Sequence, residues 1–332
     1  MANLLTLVFI PGAWHLPTCY NNVIQTMEQK HGVRSRVVTL NSASGDPTAT
    51  FKDDIDNARA IIAREIDQKR DVVVIAHSYG GMVGNSAIKG FTQPRNSIQL
   101  NSSPNAPSDT AKGTIAPGHR EGHVVGLILI ASGFTLTGLA FMDPFLGVPP
   151  PSWRVNKETG FAELVAQPRD LFYHDLPIDE ANYWVSQLQS QSLKALFEGG
   201  QYAYAGWKDV RTWYIGTTED RGLPVFAQRM QVGMARAMGG IVEHRELRTS
   251  HSPFLSQPDK VSDIMIEAID DFVGTAQKTR NRSSERDILI PKMNLWKPGT
   301  WARIGLPLAC GALIGRAIQL YSYCRSIFRS WI

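Results

Sequence analysis

Cysteine is scarce in this chain. Cys19, Cys310 and Cys324, the only three in 332 residues, form no even-numbered disulfide framework and stand too far apart in sequence for a metal knuckle. That excludes a disulfide-stapled secreted scaffold and predicts a reducing compartment, the cytoplasm. The amino terminus lacks a basic leader, and its short apolar run leads straight into Pro11-Gly12-Ala13, so it reads as a core strand and not a signal peptide. Charge is also thin, at 19% of residues with a formal net of +4. From Thr275 onward ten Lys and Arg face only Glu285 and Asp287, a surplus of eight, so the body is net negative by four. No basic stripe on the body argues for nucleic acid. No ligand spacing suggests a metal, and nothing calls for an organic cofactor.

Apolar residues are plentiful, at 43%, enough for one large catalytic domain with additions. The most informative segment is Ala76-His77-Ser78-Tyr79-Gly80, which follows the apolar run Asp71–Ile75 and precedes Gly81-Met82-Val83-Gly84. A strand that turns sharply into a helix lifts a serine at the apex clear of the backbone, and the tight turn demands small neighbours. Gly80 and Gly81 supply that room, and Ala76 stands where glycine is commoner.

Strands and helices alternate on either side, the pattern of a mostly parallel, doubly wound α/β sheet. The expected strands are 4–10, 34–40, 71–75, 124–131, 210–217 and 241–247, and the expected helices are 18–30, 51–69, one ending near Gly90, 224–238 and 258–273. Two stretches break the pattern. Residues 91–122 turn to Asn, Ser, Pro, Thr and Gly and read as a surface insertion. Residues 134–206 are rich in proline and aromatics, with helical stretches such as 179–197, and read as a helical cap over the carboxyl edge of the sheet. The core is then 1–133 with 207–274. Most cap aromatics are expected to fill the cap's own interior and a few to line an apolar pocket.

A serine needs a base, and the base needs an acid to orient it; in this architecture the chain order is serine, acid, histidine. Of eight histidines, His15, His31 and His77 precede Ser78, and His77 adjoins it with its ring expected to point elsewhere. His119 and His123 lie in or beside the insertion, His174 in the cap and His244 inside a strand. His251, in the loop Arg248–Pro253 after the last strand, is the expected base. Asp220, which ends the strand before the last helix pair, is the expected acid, with Asp143 as its rival and Glu219 as a solvated neighbour. The oxyanion formed by serine attack needs two backbone donors, expected from Tyr79 and from Ala13 in the loop Pro11–His15, which Gly12 keeps slim.

These four segments, Val8–His15, Ala76–Gly81, Tyr214–Pro224 and Ser250–Leu255, resemble the α/β-hydrolase fold over about residues 4–273. More narrowly they resemble the branch of plant methyl-ester esterases, hydroxynitrile lyases and their fungal and bacterial esterase-like relatives. The resemblance implies Ser78 as nucleophile, Asp220 as acid, His251 as base, and the Ala13 and Tyr79 amides as oxyanion donors. The implied reaction is hydrolysis of a small apolar ester, thioester or lactone through an acyl-enzyme, with an association to secondary metabolism. The lyases of that branch carry lysine directly after the catalytic histidine, and Ser252 stands there instead. Epoxide hydrolases of the fold carry aspartate at the apex, which Ser78 excludes. A second class stays open, a catalytically slow protein that holds an apolar ligand under the cap.

The basic tail, 275–332, lies outside the family pattern. Gln277–Asp287 reads as a charged linker, and the apolar run Ile304–Gly315, cut by Pro307, falls well short of the roughly 20 residues that span a bilayer. Its Trp and Tyr residues among Arg and Lys fit either a membrane-interface segment or an unstructured extension. Oligomeric state is not legible.

Overall fold

The computed structural model describes residues 4–93, 121–274, 287–294 and 296–329. Most of the expected insertion, 94–120, and most of the expected linker, 275–286, lie outside the described residues.

Six parallel strands form one sheet. They are β1 (Leu5–Ile10), β2 (Arg34–Val37), β3 (Asp71–His77), β4 (Val124–Ile130), β8 (Arg211–Thr217) and β9 (Val242–Leu247), ordered β2-β1-β3-β4-β8-β9. β1, β3 and β4 read as near-continuous apolar runs, interrupted in β1 by Thr6 and bounded in β3 by Asp71 and His77, because both faces of the sheet are covered. Successive side chains leave a strand on opposite faces, so each run feeds two cores. Val8, Ile10, Val72, Val74, Leu127 and Leu129 enter one; Leu7, Phe9, Val73, Ile75, Ile128 and Ile130 enter the other.

On the first face lie α2 (Phe51–Asp67), α3 (Gly80–Ala87) and α7 (Val225–Ala237); on the second, α1 (Asn21–His31) and α9 (Pro258–Phe272). The register of α2 is legible from its sequence: Thr50 and Asp53 close a reciprocal capping box, and Ile55, Ala58 and Ile62 recur at helical spacing toward the core. α1 starts later than residue 18 because Pro17–Tyr20 forms a 3-10 turn first, and Gly32 ends it at φ 63°. β2 stops at Val37, short of the expected Leu40.

The cap differs from the expectation of helices alone. Trp153–Asn156 (β5), Phe161–Leu164 (β6) and Gln191–Ser192 (β7) pair as a small antiparallel sheet beside α4 (Pro168–Phe172), α5 (Ile178–Ser186) and α6 (Leu193–Phe197). The expected helical stretch 179–197 is therefore broken by β7. Strands of two to four residues are too short to show a period, and the reversal between β5 and β6 rests on Gly160 at φ 76°.

The tail also differs. Pro307 does not cut the apolar run: the helical backbone is continuous from Pro298 through a π turn, Trp301–Gly305, into a long helix, α10 (Leu306–Arg329), and that widened turn directly before Pro307 takes up its missing N–H. Before it, Leu289 pairs antiparallel with Glu246 and extends the β9 edge of the sheet.

Candidate active site

The ends of β1, β3, β4, β8 and β9 meet at one edge of the sheet, which is where an open α/β sheet binds its ligands. At the end of β3 the chain makes the expected turn. Ser78 has φ 51°, a left-handed conformation that a serine adopts only under constraint. Its amide donates to the Ile130 carbonyl at 3.1 Å and its carbonyl accepts from Ser132 Oγ at 2.7 Å, which ties the elbow to the end of β4.

The small residues of the motif have particular neighbours. A Cβ on Gly80 would lie 2.2 Å from the Pro11 carbonyl oxygen, and one on Gly81 would lie 1.9 Å from Ser132 Oγ. A Cβ on Gly12 would meet His77 Nδ1 at 2.8 Å and Ser78 Cβ at 3.1 Å. The loop after β1 thus presses directly on the elbow. Among the described residues, neither the Ala13 nor the Tyr79 amide donates a hydrogen bond of its own, although Ala13 and Tyr79 are buried. Buried amides without partners are uncommon and are available to an incoming oxyanion.

Asp220 and His251 come together: Nδ1 of the imidazole donates to Asp220 Oδ2 at 2.7 Å. Every partner of that carboxylate is a donor. Oδ1 accepts from the amides of Gly222 and Leu223 at 2.7 Å each, and Oδ2 also accepts from Thr217 Oγ1 at 2.7 Å and Gln228 Nε2 at 3.0 Å. With Nδ1 holding the proton against the carboxylate, Nε2 is left as the acceptor nitrogen of the ring. Asp143 takes no part. It is exposed and accepts from the Ala140 amide in its own turn. Glu219 is exposed, as expected.

Ser78 is covalently adjacent to His77, whose ring centroid lies 4.6 Å from that of His251. Among the described residues no hydrogen bond joins the Ser78 hydroxyl to His251. The structure closes the Asp220–His251 contact and packs the residue before Ser78 against His251.

Sequence reasoning missed the role of His77. Its ring does not point away: Nε2–H donates to the backbone carbonyl of His251 at 3.0 Å and so holds the loop that carries the imidazole. Nδ1 is then an acceptor, buried without a partner. Burial, reinforced by His251 and His15, pushes the His77 imidazole well below the usual histidine range. His15 continues the cluster, with Nδ1 2.7 Å from the Ala13 carbonyl and Nε2 2.8 Å from the Tyr173 hydroxyl, and burial pushes its pKa down to about 4. Tyr79 is anchored likewise, through its hydroxyl to the buried Asp54 at 2.8 Å. Only the adjacency of His77 to Ser78 could have signalled its part; Asp54 and Gln228 gave no signal.

The cap reaches the site through particular side chains. Phe172 lies 5.6 Å from His251, Phe141 5.6 Å from Tyr79 and Trp153 6.2 Å from Trp14, measured between ring centroids. Trp207 instead lies in the core, fully buried. Trp14, left-handed at φ 64°, donates its indole N–H to the Ala162 carbonyl at 3.0 Å, and its own carbonyl accepts from the Gln189 amide at 2.8 Å. The loop after β1 is therefore latched to the cap. Among the described residues no group of three His, Cys, Asp or Glu is placed to hold a metal.

The architecture recurs in solved structures of low sequence identity. A pyrethroid hydrolase from Sphingobium faniae JZ-2 superposes with a TM-score of 0.54 at 18% identity, covering 80% of this chain and 97% of that one. Tomato methylketone synthase I complexed with 2-tridecanone gives 0.57 at 13% identity, covering 80% and 98%. An extracellular alpha/beta-hydrolase from a Paenibacillus species gives 0.56 at 16%, covering 80% and 98%. In sequence, the alpha/beta hydrolase nvfD of Aspergillus novofumigatus is 23% identical over 257 residues, 77% of this chain and 92% of that protein. Residues 7–264 match the model of the alpha/beta hydrolase family, which takes in the loop after β1, the elbow, Asp220 and His251. The chain belongs to the alpha/beta hydrolase family.

Proposed function

We propose that this protein is a serine hydrolase that cleaves a small apolar carboxylic ester, or a thioester or lactone, through an acyl-enzyme on Ser78. The observation that carries the reading is the Asp220–His251 pair at 2.7 Å beside a serine held left-handed at a strand-to-helix apex. In the mechanism, the Ser78 hydroxyl turns about its single side-chain torsion to meet His251 Nε2 and gives up its proton as the oxygen attacks the carbonyl carbon. The carbonyl electron pair becomes an oxyanion, met by the Ala13 and Tyr79 amides. The tetrahedral centre collapses, the alcohol leaves with the proton from Nε2, and water repeats the sequence to free the acid. Asp220 keeps the ring in the tautomer that this cycle needs. Phe172 against His251, Phe141 against Tyr79 and Trp153 against Trp14 make the surroundings aromatic, which favours an apolar substrate.

The test is covalent labelling with a fluorophosphonate, followed by a panel of p-nitrophenyl esters of increasing acyl length. Labelling and turnover are expected in the parent and lost in Ser78→Ala. Labelling that survives the substitution overturns the assignment. The open Ser78–His251 contact favours one second reading, a catalytically slow protein that binds an apolar ligand; tight binding retained in Ser78→Ala with no turnover by the parent selects it.

A further inference from the structure

We propose that α10 docks this protein, lying in the plane of the bilayer, onto a membrane surface with anionic headgroups. The tail is built onto the body at several points. Leu289 is hydrogen-bonded to the β9 edge, Lys260 pairs with Asp287 at 3.0 Å, and Arg229 donates to the Arg303 carbonyl. α10 then runs along α7 in backbone contact. A Cβ on Gly311 would lie 1.8 Å from the Met230 carbonyl oxygen, one on Gly315 2.7 Å from that of Met234, and one on Gly233 of α7 2.2 Å from that of Leu308. That seam fixes which edge of the helix faces inward.

The opposite edge is largely apolar and exposed. Leu306, Leu313 and Leu320 recur at helical spacing and are 55%, 66% and 64% exposed, with Ala309 between them. Tyr321 and Tyr323 flank the stripe at 66% and 65% exposed, and Trp296 precedes it at 91%. Only 17% of the apolar stretch within Pro298–Tyr321 is buried. A row of this kind in water is costly and marks a surface that something covers.

Charge selects the occupant. From Ile288 to the last residue the sequence holds Lys292, Lys297, Arg303, Arg316, Arg325 and Arg329 and no Asp or Glu. A second copy would bring the same positive charge to the same stripe. Anionic headgroups complement it, while the aromatic rings suit the interfacial layer. By length and composition the 24-residue stretch Pro298–Tyr321 is enough to cross a bilayer, longer than the sequence expectation allowed, but its packing commits it to the surface. Its inner edge is committed to α7 and the core as far as Ile318, and the eleven residues 319–329 fall short of the roughly 20 needed to cross.

Flotation of the full chain with vesicles tests the proposal by a readout that does not involve catalysis. The parent is expected to float with mixed phosphatidylcholine–phosphatidylserine vesicles, less with phosphatidylcholine alone, and less as salt rises. Leu313→Glu and Leu320→Glu, both on the exposed edge, are each expected to lower the bound fraction about tenfold, leaving the circular dichroism spectrum and hydrolysis of a soluble ester unchanged. Parent protein that stays unbound with both vesicle types overturns the proposal. So does a vesicle-free dimer that the same substitutions dissolve, because the covering partner is then a second copy.

Discussion

Replacing His77 by phenylalanine isolates a single hydrogen bond next to Ser78. The His77 ring is fully buried, 4.6 Å from His251, 5.0 Å from Phe254 and 5.6 Å from His15 between centroids, and phenylalanine fills nearly the same volume. What disappears is the 3.0 Å bond from Nε2–H to the His251 carbonyl. A buried carbonyl left without its donor costs about 1–3 kcal/mol. The unpartnered Nδ1 disappears as well, and with it a desolvation cost the parent already carries, so the net loss of stability is about 1 kcal/mol. In the proposed mechanism the catalytic consequence is larger in proportion, because the freed carbonyl belongs to His251, the residue that presents Nε2 to Ser78. A misalignment worth about 1.4 kcal/mol at the transition state lowers kcat about tenfold. The assay is steady-state hydrolysis of a p-nitrophenyl ester, with urea unfolding in parallel and His77→Gln as the donor-retaining control. The expected result is a kcat about tenfold lower, an unchanged KM and partial recovery in His77→Gln. A kcat within about twofold of the parent refutes the positioning role.

The buried histidines set the acid limit of stability. His15, His77 and His244 are all held below the ordinary value of 6.5, chiefly by burial, so the unfolded chain takes up protons that the folded one refuses. Stability is whole above pH 6.5 and is lost as pH falls below it, and the share due to His15 levels off below about 4. His244→Leu removes a ring with neither nitrogen hydrogen-bonded, and urea midpoints at pH 7 and pH 5 are expected to differ less than in the parent, by up to about 1.4 kcal/mol per pH unit; an unchanged pH dependence contradicts this. Gln228→Leu strips one donor from Asp220 and leaves the Thr217 amide and the Leu223 carbonyl without the partners they have at 3.0 and 2.6 Å. A loss of about 2–4 kcal/mol in denaturant titration and a lower kcat/KM at pH 7 are expected, and stability within about 0.5 kcal/mol of the parent contradicts it.

The pattern of β1, β3 and β4 was legible in the sequence, because a parallel strand covered on both faces is apolar along nearly its whole length, and the intervening helical segments supply the cover. Ser78 was legible for a related reason: a turn this tight leaves no room for a Cβ at particular positions just past its apex, and Gly80 and Gly81 advertise it. The choice of Asp220 over Asp143 needed the fold, since both follow strands and only the distance to His251 separates them. The cap sheet was hidden because two to four residues carry no period and its pairing spans distant segments. Nor could composition show that Gly311, Gly315 and Gly233 form a seam, for each glycine is explained only by the backbone atom opposite.

By itself, then, the chain determined which residues can do chemistry and which strands and helices carry them, because periodicity and steric demand are local. Tertiary packing alone decided that His77 holds the loop that carries His251, that Trp14 is latched to the cap, and that one edge of α10 is spent on α7 while the other faces outward. Those are contacts between segments far apart in sequence, and their energies exist only once the sheet has brought the ends together.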